Sequence, residues 1–364
     1  MRNEAGEHID SACGHKIQAV RRLVVSVFLV GLAGLGSAHA QLFGPEGVKP
    51  QVVRQGRIGS CYFHAAVAAV ALTNPAILRN MIRENADHSY TVQFWDQKME
   101  NAYPEDLEFA RKSGYERSDG LWVVVLLRAY AQRVLREALL STIDNSDLSA
   151  VLKIYLKDLV ASHDSVLLAY DRAIRTVVDQ QGNIDRVELV QRLKREMQPF
   201  NISSQVGDSL IQLLDSGGLL ESLAAFLRQN GELFGAYRAV GQGGLPERVL
   251  GVLMGKQTRH FQSKSEQQEI IAALNRAASQ PVVATTGGAI DESVSTDRLT
   301  PEDQKWYVKA HAFTVLGYDP AKQLVALRNP WASSPDPDGI FTIPLAKFLA
   351  MFPSIVTTAG GIER

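Results

Sequence analysis

Cysteine is almost missing from this chain: Cys13 and Cys61 are the only two in 364 residues, which excludes a small fold stapled by disulfides. An excess of either charge is missing too. Lys plus Arg number 38 against 39 Asp plus Glu, a net charge of -1, so there is no electrostatic case for nucleic acid or an anionic membrane surface as partner. The chain also lacks internal repeats and low-complexity tracts. Its one long apolar run near the start, "LVVSVFLVGLAGL", is about a dozen residues, short of the roughly 20 that span a bilayer. What is present is an ordinary globular composition, 46% hydrophobic, with a length that suggests two or three domains.

The apolar run follows Arg21 and Arg22 and is followed by Ser37 and the small-x-small site Ala38-His39-Ala40 before Gln41. That is the three-part pattern of a secretory signal peptide, so residues 1–40 are expected to be a leader cleaved after Ala40. The mature protein is then periplasmic or secreted, with no stable membrane anchor. Cleavage removes four basic and three acidic side chains (Arg2, Lys16, Arg21, Arg22, Glu4, Glu7, Asp10), leaving 34 against 36 and a charge of -2. It also removes Cys13. The exported form carries Cys61 alone, in a compartment where structural cysteines come in pairs.

Residues 62–73, "YFHAAVAAVALT", are apolar almost all round, rich in Ala and stopped by Asn74-Pro75, as in a central buried helix. Helical periodicity continues over 104–135 and most of 144–236. After the break "GQGG" at 241–244, shorter helices run through Gly255 and from Glu266 to Ala278. Then "QPVVATT", "AHAFTVLGY", "LVALRN" and "GIFTI" read as antiparallel strands. The expected mature organisation is a helical part, 41–240, and a β-rich part, 241–364. In "DQQGNIDRVELV", Gly182, Ile184 and Glu188 fall at positions of a calcium-binding EF-hand loop, but the first ligand position is Val177 and the fifth Gln181, so an ordinary helix-turn-helix is expected.

Residues 54–66, "RQGRIGSCYFHAA", place Cys61 at the first turn of the buried helix. A helix N-terminus stabilises a thiolate through its free N–H groups and its dipole. Gly56 and Gly59 are expected to let the preceding chain turn tightly near the thiol. Gln55 can bring a neutral N–H to the same point and form, with the Cys61 N–H, an oxyanion hole worth about 3 kcal/mol per donor. Of the five histidines after residue 40, His88, His163 and His260 lie among polar residues, and His64 either lines the site or packs. His311 begins the strand "HAFTVLGY". A three-residue hairpin loop would pair Tyr318 with Lys322 and set His311 directly opposite Asn329, whose amide can orient the ring while Trp331 shields the bond from water. His311, as imidazolium, is then expected to hold Cys61 as thiolate.

"QGRIGSCYFHAAVAAV", "KAHAFTVLGY" and "VALRNPW" resemble the catalytic blocks of calpain-type cysteine peptidases, in the order Cys, His, Asn. "LWVVVLLRAYAQ" at 121–132 is similar to a Leu-Trp-rich helix of that core. The resemblance covers about residues 51–132 and 241–345, and the helical stretch from about 133 to 240 stands as an insertion without counterpart. Ser60 and Tyr62 replace the family's usual Asp and Trp, and Ala310 its Gly before the histidine. The resemblance implies an α+β, papain-like fold: a helical Cys-bearing subdomain, a β-rich His/Asn-bearing subdomain and a cleft between them. It implies a cysteine endopeptidase acting on protein or peptide substrates with Cys61, His311, Asn329 and Gln55 as catalytic residues. No cofactor is expected; calcium enters by resemblance alone, without identifiable ligands. The same trio serves transglutaminase-like acyl transferases, and an inactive peptidase fold used for binding is a third reading.

Overall fold

A computed structural model describes residues 42–145, 150–162, 164–177, 186–197, 235–287, 300–332 and 337–359. The expected leader and the loop around Gly182 lie outside the described residues. The chain divides into Met1–Gly47 and a compact unit, Val48–Arg364, to which everything below belongs.

Helix α1, Cys61–Thr73, is the apolar segment read from the sequence, and Tyr62 through Ala71 are all buried. Asn74 ends it, and Pro75, at a first-turn position where a missing N–H costs nothing, opens α2, Pro75–Met81. The next segment adds strands to a part expected to be mainly helical. Strands β1, Ile82–Glu84, β2, Tyr90–Gln93, and β3, Met99–Ala102, form an antiparallel three-stranded sheet. Its inward face pairs Tyr90 with Ala102 and Val92 with Glu100, and the buried Glu100 is held by Arg136 at 3.0 Å. With a charge at a core position, the alternation that marks a strand is broken, and strands of three or four residues leave little else to read.

Helix α3, Pro104–Lys112, carries acids in its first turn and bases in its last, matching the helix dipole. The Trp-bearing helix α4 runs unbroken over Leu121–Asp144, so the boundary expected near residue 133 falls inside it. Helices α5, Ala150–Ser162, α6, Asp164–Val177, α7, Arg186–Met197, α8, Ala236–Gly241, and α9, Pro246–Met254, follow. No single helix among the described residues is long and apolar enough to cross a membrane.

The remainder is mainly β. Strands β4, Thr258–Gln262, β5, Val282–Thr285, β6, Ala312–Asp319, β7, Leu324–Arg328, β8, Ile340–Pro344, and β9, Ser354–Thr358, form one antiparallel sheet in the order β4-β9-β5-β6-β7-β8. The four runs read as strands are β5 to β8; β4, β9 and two helices, α10, Gln267–Leu274, and α11, Leu345–Met351, complete the layer. Phe313, Phe341, Phe348, Phe352 and Trp306 centre its core. Helix α1 lies against β6, where the Thr314 hydroxyl donates to the Ala65 carbonyl at 2.9 Å. The buried Arg328 donates to the Val53 carbonyl at 2.6 Å, and the Gln55 N–H to the Pro330 carbonyl at 2.9 Å, so both chain segments of the site are pinned together.

Helices α6 and α8 are fastened to α3 and α4 by buried charge. Asp106 of α3 accepts from Arg172 and Arg175 of α6, each at 3.0 Å. Asp171 of α6 pairs with Arg175 and, at 2.9 Å, with the fully buried Arg128 of α4, and accepts the Ala236 N–H of α8 at 2.6 Å. Removing one partner of such a cluster strands the others in a medium that cannot solvate them. Asp171→Ala should therefore destabilise the protein by about 3–5 kcal/mol in urea unfolding, and a loss under about 1 kcal/mol would show the cluster to be solvated and inessential.

Candidate active site

The chain bends over residues 57–59 before Cys61, and two glycines fix this approach by close backbone contact. Neither takes a left-handed backbone. A Cβ on Gly56 would sit 2.3 Å from the Tyr115 backbone, and one on Gly59 2.5 Å from the Gly241 carbonyl. The glycines thus let two strands of backbone touch, with Arg57 N–H donating to Gly114 at 2.8 Å and Gly59 N–H to Gly241 at 2.9 Å. Cys61 emerges partly exposed between the buried Ser60 and Tyr62. The backbone N–H groups of Ala312, Tyr62 and Cys61 itself face its sulfur.

The histidine arrives from β6, by a register different from the one expected. The hairpin connection is Pro320–Gln323, one residue longer, and pairs Asp319 with Leu324. Continued unchanged, that register would set His311 and Asn329 on opposite faces, since a one-residue slip inverts the pleat. A bulge between Val315 and Gly317 restores the parity: Thr314 pairs with Arg328, and Asn329 comes level with Phe313, one pleat from His311. Ala310, just before the histidine, has φ +54°, a left-handed backbone that costs a non-glycine about 1–2 kcal/mol, which accounts for the glycine usual there in the resembled family.

His311 Nε2 lies 2.9 Å from Asn329 Oδ1, and the Trp331 N–H donates to the same oxygen at 3.0 Å. A backbone N–H can only donate, so it fixes the amide with its oxygen toward both groups. His311 must then donate from Nε2, which leaves the Nδ1 lone pair as the basic position. Trp331 covers the ring at 4.8 Å between centroids. Asn329 is itself placed by its N–H to Gly339 at 2.8 Å.

Gln55 is buried, and its side-chain N–H donates to the Ile58 carbonyl at 2.6 Å, leaving the second amide hydrogen for a ligand. Its Oε1 has no hydrogen-bond partner among the described residues. His64 does not line the site. It is fully buried, with Nδ1 2.9 Å from the Ser60 carbonyl and Nε2 2.8 Å from Glu116. Sequence reasoning missed Glu116 because 52 residues separate the pair and nothing local marks it. His88 is exposed beside Glu84, His260 is exposed on β4, and His163 lies outside the described residues.

Burial sets the charge state of the pair. It pushes the Cys61 thiol up, against the pull of the three N–H groups, and pulls the His311 imidazole down to about 4, against the Asn329 hydrogen bond. Both shifts run toward the neutral forms, whereas the sequence reading expects a thiolate–imidazolium pair. Alkylation of Cys61 by iodoacetamide should accordingly rise with pH through the alkaline range; a plateau reached near pH 6 would show that the pair is charged at rest. Between the ordinary histidine value of 6.5 and about 4, the unfolded chain binds a proton that the folded site refuses. Stability contributed by His311 is therefore intact above that window and falls as pH drops through it.

Residues 35–143 match the calpain family cysteine protease. No curated protein matches the chain. Among solved structures, PepW from Lactobacillus rhamnosis HN001 is 11% identical over 97% of this chain and 92% of that one, with a TM-score of 0.30, too low to support any structural inference. Gln55 and Cys61 lie inside the matched segment and His311 and Asn329 beyond it, so the match supports a calpain-type cysteine peptidase core over residues 35–143 and does not reach the second pair.

Proposed function

We propose that the protein is an exported calpain-like cysteine endopeptidase that hydrolyses peptide bonds of protein substrates with Cys61, His311, Asn329 and Gln55. The observation that carries this reading is the meeting of the two segments: the N–H of Ala312, next to His311, faces the sulfur of Cys61, while the His311 ring is oriented by Asn329 at 2.9 Å. Export rests on the leader pattern of residues 1–40.

In the reaction, Cys61 Sγ attacks the substrate carbonyl carbon as its proton passes to His311 Nδ1. The oxyanion is met by the Cys61 N–H and the second Gln55 side-chain N–H. His311 then gives the proton to the leaving amine, the C–N bond breaks, and a thioester remains. Water, losing a proton to His311 Nδ1, attacks the thioester and releases the acid and the thiol. No step of this scheme is routed through calcium, which enters by family resemblance alone.

Labelling of the exported protein with a peptide-like electrophile should modify Cys61, with new N-termini formed in a protein substrate and full activity retained in chelator. Amine incorporation without cleavage would point to acyl transfer instead, and activity that disappears in chelator and returns with calcium would overturn the calcium-free scheme. His311→Ala should abolish turnover, whereas Asn329→Ala, which removes only the orienting partner, should lower kcat by about tenfold to a hundredfold. Equal losses in both variants would contradict these roles. The exported protein should begin at Gln41, and an intact mass that still includes the apolar run would refute the cleavage site.

A further inference from the structure

The buried pair His64–Glu116 takes no part in the chemistry above, yet it touches the peptide unit of one oxyanion donor and the backbone of the residue that carries the other. His64 Nδ1 lies 2.9 Å from the carbonyl oxygen of Ser60, which can only accept, so Nδ1 donates. That carbonyl belongs to the peptide unit whose N–H is the Cys61 N–H. The unit is planar, so a bond that fixes its oxygen fixes the direction of its hydrogen as well, and it polarises that N–H toward a developing negative charge. On the other side, His64 Nε2 meets Glu116 Oε2 at 2.8 Å, and Glu116 Oε1 is held by the N–H groups of Arg117 and Ser118 at 2.9 and 2.8 Å. Glu116 forms a backbone bridge with Gln55, and the neighbouring Arg117 N–H donates to the Arg54 carbonyl at 3.2 Å. The loop carrying Glu116 is thus the backing of the segment carrying Gln55.

We propose that His64 and Glu116 are positioning residues for the oxyanion hole: one buried hydrogen-bond relay that runs from the Gln55 segment through Glu116 and His64 to the Ser60–Cys61 peptide and holds both donors at a common distance. This rests on the peptidase reading of the site. Both side chains are fully buried, so the relay is shielded from solvent and acts through geometry. A neutral relay serves as well as a charged one. In Glu116→Gln, the amide oxygen can keep the Arg117 and Ser118 contacts while the amide nitrogen donates to a neutral His64 Nε2, and Nδ1–H stays on Ser60.

The test compares wild type, Glu116→Gln, Glu116→Ala and His64→Asn by three measurements on the folded fraction: kcat and KM for a peptide substrate, alkylation of Cys61 by iodoacetamide, and affinity for a peptide aldehyde. Addition of the thiol to the aldehyde carbonyl, with the proton passing to the new oxygen, places that oxygen in the hole. Glu116→Ala should lower kcat and aldehyde affinity together by about tenfold to a hundredfold, with KM and alkylation within about twofold of wild type. Glu116→Gln should restore most of both. His64→Asn, which keeps a donor for Ser60 but loses Glu116, should fall between them. Should Glu116→Ala not fold, Glu116→Gln and His64→Asn decide the matter by the same ratio of aldehyde affinity to alkylation. Wild-type kcat in Glu116→Ala, or alkylation falling in step with kcat, overturns the relay while leaving the peptidase reading intact. Absence of cleavage and aldehyde binding in the wild type removes the peptidase reading itself.

Discussion

Helix α1 has no polar side, so it must be buried all round, and yet in the proposed scheme its first residue has to meet substrate. This constraint shapes most of what surrounds it. The helix lies against β6 and β5 and against α2 and α9, so that only its two ends, Cys61 and Leu72 with Thr73, are partly exposed. The N–H groups that every helix leaves unbonded at that end are the resource the site uses. They face the Cys61 sulfur, and one serves as oxyanion donor in the proposed scheme. Ser60, the N-cap residue, makes no side-chain cap; its carbonyl instead collects the N–H groups of Phe63 and His64 and the His64 ring. A helix start with an orthodox cap would spend on itself a donor that the site has other use for.

The electrostatics follow from the same enclosure. A thiol and an imidazole placed in apolar surroundings both resist charge, and the counterforces are individually small hydrogen bonds. In the proposed scheme substrate entry therefore changes more than occupancy: the oxyanion forms where donors already point, so charge separation becomes favourable at the moment of attack. Orientation supplied by the Trp331 N–H through Asn329 matters in this setting because a neutral imidazole has two tautomers, and one of them is useless as a base toward Cys61.

Much of this was legible beforehand, and the limits have physical causes. Cys61, Gln55, His311 and Asn329 stand out because a lone cysteine before an Ala-rich helix and a histidine opening a β-branched run are local patterns, as are the strands β5 to β8. The sheet of β1 to β3 was not legible: its strands are short, and Glu100 occupies a core position that only Arg136, on a distant helix, makes tolerable. Strand β9 did carry a signal in Ile355, Val356, Thr357 and Thr358, but it lies beyond the last segment read as strand. The role of Glu116 and the Asp106–Arg128–Asp171 cluster depend on partners from 22 to 52 positions apart, which no periodicity encodes. Hairpin register was misjudged because the loop and the bulge each contribute one residue, and only their combination sets which face His311 occupies.

That last feature makes the candidate active site sensitive to chain length in a way it is not to composition. Substitution of Leu316 by another residue leaves the count of positions between His311 and Asn329 unaltered, whereas loss of a single codon there inverts every side chain on one arm of the hairpin relative to the other. Phe313 and Val315 would leave the core as His311 left Asn329, so such a deletion would damage folding and chemistry at once. The tolerable length changes in this hairpin are those made in compensating pairs, one in the loop and one at the bulge. Alignments of related chains that place gaps at only one of the two sites would therefore be aligning residues from opposite faces.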